Sequence, residues 1–202
     1  MTKIAIDIAL LPPSHIMDKI IRLNQTLSHK SMTHFLMNKK NCLPHITLAM
    51  GAVTQSDLPK IRKALRTGFN GKKSIPIKVS AIKNSFSPIH KWNAWLRVDK
   101  TKSLQMVHEQ VMQIMTPFFT NDAHISMFYS PPKMTQLPVF WLLNFHKTSV
   151  HEKYKPHITI GKGKTLKGMI HTPFSFKASR ITVCHLGSHC TCRKILCNQK
   201  LE

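Results

Sequence analysis

The sequence PHITLAMG at residues 44–51 and the sequence PHITIGKG at residues 156–163 share their first four residues. In both segments the apolar residues after the proline predict a short strand. Because side chains alternate between the two faces of a strand, the His and Thr of each segment share one face and the isoleucine lies on the other. Each segment therefore presents an imidazole beside a hydroxyl, above an apolar side that anchors the strand in a core.

Apolar spacing around the two segments predicts an alternation of strands and helices. A capping box is predicted at Thr54–Asp57, and Gly51 is expected to end the strand that begins at His45. The predicted strands cover residues 4–10, 45–50, 75–81, 92–98, 157–160, 174–176 and 181–186, and the predicted helices carry their apolar stripes over residues 16–27, 58–65 and 104–114. This order predicts two related α+β halves, the second enlarged by residues 118–150.

The charge balance favours a polyanionic partner. The 202 residues include 30 Lys and Arg against 8 Asp and Glu, which gives a formal net charge of +22. The eight acids are widely spaced in sequence, which disfavours hard-cation sites and the carboxylate pair of a glycosidase. RNA, DNA, a nucleotide or an anionic surface fits the excess of cations, and lysine-rich coding is the alternative explanation.

The targeting and cysteine patterns of the sequence predict a soluble, cytoplasmic protein. The amino terminus, MTKIAIDIALLPPS, has the pattern of a strand and lacks that of a signal peptide, and no apolar stretch approaches the length of a membrane span. Five cysteines stand at Cys42, Cys184, Cys190, Cys192 and Cys197. Without an export signal, reduced thiols are expected. The Cys/His-rich tail suggests zinc, but its Cys-x-Cys alternation fits a packed strand in a final hairpin better.

If an approximate twofold axis relates the two halves, the two segments present their histidines and threonines towards each other across a cleft. Such an arrangement suits phosphodiester chemistry without a metal. One neutral His can take a proton from an attacking hydroxyl or water, while the other, protonated, gives a proton to the leaving oxygen. The hydroxyls can donate hydrogen bonds to the non-bridging oxygens, where charge builds up in the transition state. Neither a carboxylate nor a metal is required, so no metal ligands and no cofactor are predicted.

The paired motifs resemble the 2H phosphoesterase superfamily, which includes RNA 2',5'-ligase-like and cyclic phosphodiesterase proteins. The resemblance extends from IDIALLPP through PHITLAMG, AWLRVDKTKSLQMVHEQV and YKPHITIGKG to the closing strands. It implies that His45 and His157 act as general base and general acid, in an order that the sequence leaves open, and that Thr47 and Thr159 bind the phosphate. It also implies RNA or nucleotide phosphodiester substrates, such as 2',5'-linked oligonucleotides or 2',3'-cyclic phosphates.

Other residues are weaker candidates. His124-Ile125-Ser126 is a third His-x-Ser on a predicted strand, but His157 is preferred because its flanking proline and glycine repeat those of His45. Tyr154 at the cleft mouth, Trp95 on a strand and Phe86 in a loop at residues 85–88 are expected to line the cleft. His108 is interpreted as a helix-face residue.

These observations predict an α+β, bilobal fold, with two related halves of antiparallel sheet, helices on the outside and a central basic cleft. A single domain is expected over residues 1–202, acting as a monomer without an obligate protein partner and away from membranes. The predicted function is a metal-independent phosphodiesterase. The alternatives are a non-catalytic basic RNA-binding domain and a cyclic-dinucleotide hydrolase of the same fold.

Overall fold

Two antiparallel sheets organise the molecule in the computed structural model, which describes residues 1–30, 36–87, 91–130, 135–165 and 172–202. The strands are β1 (Lys3–Leu10), β2 (Ile46–Thr54), β3 (Ile75–Ser87), β4 (Lys91–Val98), β5 (Phe119–Thr120), β6 (His157–Lys162), β7 (Phe174–Ala178), β8 (Arg180–Leu186) and β9 (Cys192–Lys200). The first sheet has the order β5-β2-β1-β8-β9, and the second has the order β6-β4-β3-β7. All neighbouring strands are antiparallel, which confirms the predicted α+β class.

In the described parts of the chain, four helices pack against the sheets: α1 (Ser14–Lys30), α2 (Leu58–Gly68), α3 (Lys102–Met115) and α4 (Leu137–Thr148). The predicted stripe of α1 is buried as expected, at Ile16, Ile20, Leu23 and Leu27. α4 lies inside the segment whose structure the sequence left open, with Pro138 in its first turn, where a missing N–H is tolerated. Within the described ranges, no helix has the length and apolar character to cross a membrane.

Two predicted element boundaries are wrong. Gly51 does not end β2, because the strand continues to Thr54 while the ring of Phe119 covers the α-carbon of Gly51, where a side chain would clash. The capping box at Thr54–Asp57 does not form: Thr54 precedes a short 3-10 turn, and its side chain makes no capping hydrogen bond. The apolar residues of α2, Ile61 and Leu65, are nevertheless buried as predicted.

The two sheets do not correspond to successive halves of the chain. β1 is a central strand whose two edges pair with β2 and, near the other end of the sequence, with β8. The second sheet combines β3 and β4 with β6 and β7. One Pro-His-Ile-Thr segment consequently belongs to each sheet, as the predicted pairing of the motifs requires.

Apolar packing connects the sheets and supports both segments from behind. One hydrophobic cluster contains Ile6 and Leu48 of the first sheet together with Leu96 and Ile158 of the second. A smaller cluster lies on the opposite side of the first sheet and consists of Ala9, Leu11, Met17, Leu43, Cys184 and Cys192. Each segment therefore starts from a backbone that is held by buried neighbours.

Candidate active site

The first segment positions His45 immediately before β2. Its Nδ1 lies 2.8 Å from the carbonyl oxygen of Leu43, two residues earlier. A carbonyl oxygen only accepts hydrogen bonds, so Nδ1 carries a proton and donates it there. The remaining ring nitrogen, Nε2, is then the one that can exchange a proton with a substrate.

The second segment repeats this arrangement. His157 opens β6, and its Nδ1 lies 2.9 Å from the carbonyl oxygen of Lys155, again two residues earlier. The same reasoning leaves Nε2 as the exchangeable nitrogen. Both histidines are thus oriented by the backbone that the preceding proline helps to extend.

Strand alternation exposes the polar residues of the second segment. His157 and Thr159 are exposed, while Ile158 and Ile160 are completely buried. The residues directly opposite them on β4 are Arg97 and Trp95, respectively. Cross-strand neighbours share a face, so this face carries a histidine, a hydroxyl, a cation and an aromatic ring together.

Electrostatics and one hydrogen bond link the two segments. Burial lowers the pKa of His157, and the nearby positive charge of His45 lowers it further. By surface area His157 is an exposed residue, whereas the His45 side chain is only 12% exposed and its pKa is lowered by burial. Tyr154 lies just before the second segment, and its hydroxyl donates to the carbonyl oxygen of Thr47 at 3.0 Å.

Behind this link, Tyr154 is buried and rests on His108. The two rings are stacked nearly parallel, with centroids 4.0 Å apart. His108 Nδ1 lies 2.6 Å from the carbonyl oxygen of Leu48, and Nε2 accepts from the backbone N–H of His151 at 3.0 Å. Burial lowers the pKa of His108, which suits a neutral ring. His108 therefore lies on a face of α3, as expected, and that face is buried, where it supports β2 and Tyr154.

Asp7 is the site residue that the sequence analysis missed. Its side chain is completely buried on β1, where it accepts a hydrogen bond from Thr47 Oγ1 on Oδ2 at 2.7 Å. The same oxygen lies 3.5 Å from His45 Nε2. Burial raises the pKa of Asp7 to about 7. The signal in the sequence was a carboxyl group inside an otherwise apolar strand, because such groups are almost never fully buried without a partner.

Asp7, His45 and Cys192 resemble a metal site in composition, since their ligand atoms lie within 4.8 Å of one another. Burial holds the pKa of the Cys192 thiol well above its usual range, and Asp7 Oδ2 already accepts a hydrogen bond from Thr47 Oγ1. We assign no metal to these residues.

The cysteine-rich tail forms the predicted hairpin, in which β8 turns into β9 near Gly187. Cys184 and Cys192 are buried, as the packing interpretation requires. Cys190 lies in the 3-10 turn Ser188–Cys190 and not on β9 with Cys192, so the predicted Cys-x-Cys alternation along one strand is wrong.

The structure places three weaker candidates away from the positions expected for them. Phe86 belongs to β3 and not to a loop, and it pairs with Trp92, on the sheet face opposite to Trp95 and Thr159. His124 is exposed beside a 3-10 turn, Ile125–Met127, and not on a strand.

Tyr154 is 4% exposed and lies beneath the motifs, not at the mouth of a cleft. Trp95 is the cleft-lining candidate that shares the face of Thr159. Pro88, in the loop predicted around Phe86, falls outside the described residues.

Most of the chain matches a known protein family. The sequence profile of the 2'-5' RNA ligase superfamily matches residues 25–186 and so spans both segments. No curated protein matches the sequence.

Among solved structures, E. coli LigT complexed with 3'-AMP is 14% identical with a TM-score of 0.54, and the match covers 100% of this chain and 99% of that chain. TT0787 of Thermus thermophilus is 10% identical with a TM-score of 0.60, and the match covers 98% of each chain. E. coli LigT complexed with NADP+ is 13% identical with a TM-score of 0.54 and 99% of each chain covered. At these identities the likeness is one of fold.

Proposed function

The chain belongs to the 2'-5' RNA ligase superfamily, and from this premise we propose that it is a metal-independent phosphodiesterase acting on RNA or nucleotide phosphodiesters. The observation that carries the proposal is the shared orientation of His45 and His157. Each donates Nδ1–H to a carbonyl oxygen two residues earlier, which leaves two Nε2 atoms for proton transfer. A pair of equivalent nitrogens is what a reaction with one general base and one general acid requires.

The reaction follows from this pair. Where a ribose hydroxyl lies beside the scissile phosphate, the neutral histidine takes the proton of that hydroxyl as its oxygen attacks phosphorus. The bond to the leaving oxygen breaks, and the protonated histidine donates its proton to that oxygen, which gives a cyclic phosphate and a free hydroxyl. With a cyclic phosphate as substrate, water takes the place of the ribose hydroxyl and the ring opens.

The two threonines and the basic surface hold the phosphate in this proposal. Thr159 is exposed beside His157, where its hydroxyl can donate to a non-bridging oxygen. Arg97 lies opposite His157 and Lys83 lies opposite Trp95, which places cations on the same sheet face. Trp95 offers a ring on which a base can stack.

A nucleotide-type substrate is also supported by the related structures. E. coli LigT has been solved with 3'-AMP, with ATP and with NADP+, and all three ligands contain an adenine nucleotide. The net charge of +22 favours such anions. We place the activity in a reducing, cytoplasmic compartment, which is consistent with five unpaired cysteines.

The experiment is a cleavage assay on a panel of 2',5'-linked and 3',5'-linked oligonucleotides and 2',3'-cyclic ends, with a metal chelator present. We expect the wild type to cleave at least one linkage, and His45→Ala and His157→Ala to lose cleavage while still binding the oligonucleotide. His124→Ala is the matched control and keeps full activity.

An activity that needs added metal would contradict the proposal, as would an inactive His124→Ala variant. Binding of oligonucleotides without cleavage of any linkage would favour the non-catalytic RNA-binding alternative.

A further inference from the structure

A hydrogen bond to the buried carboxyl group of Asp7 distinguishes Thr47 of the first segment from the exposed Thr159 of the second. We propose that Asp7 is a protonation-dependent positioning residue: when it binds a proton, it releases the Thr47 hydroxyl to donate to the substrate phosphate. Binding of a phosphodiester is then coupled to the uptake of a proton by Asp7. This inference rests on the proposed function, because it takes Thr47 as a phosphate-binding residue.

This coupling follows from the number of hydrogen atoms that the Thr47 hydroxyl can donate. A threonine hydroxyl has a single hydrogen to donate, and Thr47 gives it to Asp7 Oδ2 at 2.7 Å. The non-bridging oxygens of a phosphodiester only accept hydrogen bonds. With Asp7 ionised, Thr47 therefore cannot satisfy the carboxylate and the phosphate together. A protonated Asp7 reverses the bond, since its O–H can donate to Thr47 Oγ1 and leave the Thr47 hydrogen for the phosphate.

The surroundings of Asp7 make the protonated form accessible near neutral pH. The side chain is completely buried, and its Oδ1 has no hydrogen-bond partner among the described residues. Among the described residues, five titratable side chains face it: His45 at 3.5 Å, Cys184 directly opposite on β8, and Tyr154, Cys190 and Cys192, whose pKa values its charge raises. None of these groups is a lysine or an arginine. Burial accordingly raises the pKa of Asp7 to about 7.

A bound phosphodiester adds a second negative charge beside this carboxyl group. Two like charges in a poorly solvated site disfavour each other, so the ligand favours the protonated form of Asp7. Linkage is reciprocal: above the pKa of free Asp7, the affinity for the phosphodiester falls as pH rises, by up to about tenfold per pH unit. Anion binding also favours the protonated forms of His45 and His157. Because burial lowers the pKa values of both histidines, their proton uptake occurs at a more acidic pH than that of Asp7.

Isothermal titration calorimetry tests the coupling with a 2'-deoxy dinucleotide phosphodiester, which lacks the attacking hydroxyl and any group that titrates near neutrality. Titrations at pH 8 in two buffers of different ionisation enthalpy count the protons taken up. We expect wild-type uptake to approach one proton per ligand. Asp7→Asn places an amide donor against Thr47 and is expected to bind the dinucleotide without that proton, with an affinity that changes less than about twofold between pH 7.5 and 8.5.

Thr159→Val is the matched control, because it removes a hydroxyl from the other segment and leaves Asp7 in place. We expect weaker binding with the proton uptake retained. Since Asp7→Asn changes a buried residue and could disturb folding, carbon-13 NMR of the aspartate carboxyl groups provides a second measurement on the wild type. The chain has five aspartates, and the Asp7 signal should shift its midpoint to higher pH when the dinucleotide is added.

Wild-type binding without proton uptake at pH 8, or an Asp7 midpoint that the ligand does not move, would overturn the inference. If the enzyme cleaves phosphodiesters in chelator while these results are found, only the role of Asp7 is wrong. If the wild type neither binds the dinucleotide nor cleaves any linkage, the proposed function fails together with it.

Discussion

The two Pro-His-Ile-Thr segments have the same residues and the same histidine anchor but different surroundings. In the first segment, His45 is mostly buried and the Thr47 hydroxyl donates a hydrogen bond to the buried carboxyl group of Asp7. In the second, His157 and Thr159 are exposed on an edge strand opposite Arg97 and Trp95. In both segments the backbone carbonyl just before the Pro-His step orients the reacting nitrogen in the same way. Residues distant in sequence set the charge and solvation around it.

The largest expected effect concerns the histidines themselves. His45→Ala and His157→Ala should each lower turnover by roughly 10²- to 10⁴-fold, the usual contribution of a general acid or base. Their difference in exposure predicts different rescue by imidazole in solution: added imidazole should restore much of the activity of His157→Ala and little of that of His45→Ala. Turnover measured against imidazole concentration checks this.

Equal rescue of the two variants would show that the sites are equally open and would remove the asymmetry. His124→Ala with imidazole provides the baseline, since any change there reports a general effect of the buffer.

The buried carboxyl group should also affect stability. Folded Asp7 holds its proton up to about pH 7, whereas the unfolded chain releases it near the ordinary pKa of 3.8. Between these values the folded state binds more protons, so wild-type stability falls as pH rises through this window. Relative to Asp7→Asn, the wild type should lose roughly 2–3 kcal/mol of unfolding free energy between pH 5 and pH 8. Urea unfolding of both proteins at the two pH values measures this.

Asp99→Asn supplies the control. A hydrogen bond from Ser80 lowers the pKa of Asp99 below its ordinary value of 3.8, so the stabilising contribution of its ionised form is lost only at more acidic pH, and the difference between wild type and Asp99→Asn should stay constant from pH 5 to pH 8. A constant difference between wild type and Asp7→Asn from pH 5 to pH 8 would mean that Asp7 is ionised throughout.

A smaller effect is expected from the aromatic residues of the second sheet. Trp95→Ala should raise KM for oligonucleotides by about fivefold or more, because loss of base stacking costs roughly 1–3 kcal/mol. Trp95→Phe should restore most of the affinity. Phe86→Ala, on the opposite face, should leave KM unchanged. A larger effect at Phe86 than at Trp95 would place the substrate on the other side of the sheet.

Local patterns predicted most of the elements, because alternation and helical spacing reflect burial directly. The stripe of α1 and the alternation of β6 are examples. The interleaving of the sheets was not predictable from local pattern, since β8 pairs with β1 across more than 170 residues of sequence. The strand end predicted at Gly51 was wrong for a similar reason, because Phe119, which covers Gly51, is remote in the sequence.

The site was predictable in its duplicated part only. Repetition identified His45, Thr47, His157 and Thr159, whereas Asp7 and His108 occur once and depend on tertiary contacts. Asp7 meets Thr47 only through the register of β1 and β2, with a bulge after Ile8. A single buried acid has no local pattern that reveals its partner.

The pH dependence of kcat/KM, measured with a chelator present, tests the central claim of a two-histidine reaction most directly. The active enzyme needs one neutral and one protonated histidine, and burial lowers the pKa of both. Such a reaction should give a bell-shaped profile with its maximum below about pH 6.5, falling on the alkaline side as the protonated histidine is lost. A rate that rises steadily through alkaline pH, or that appears only when metal is added, would contradict it.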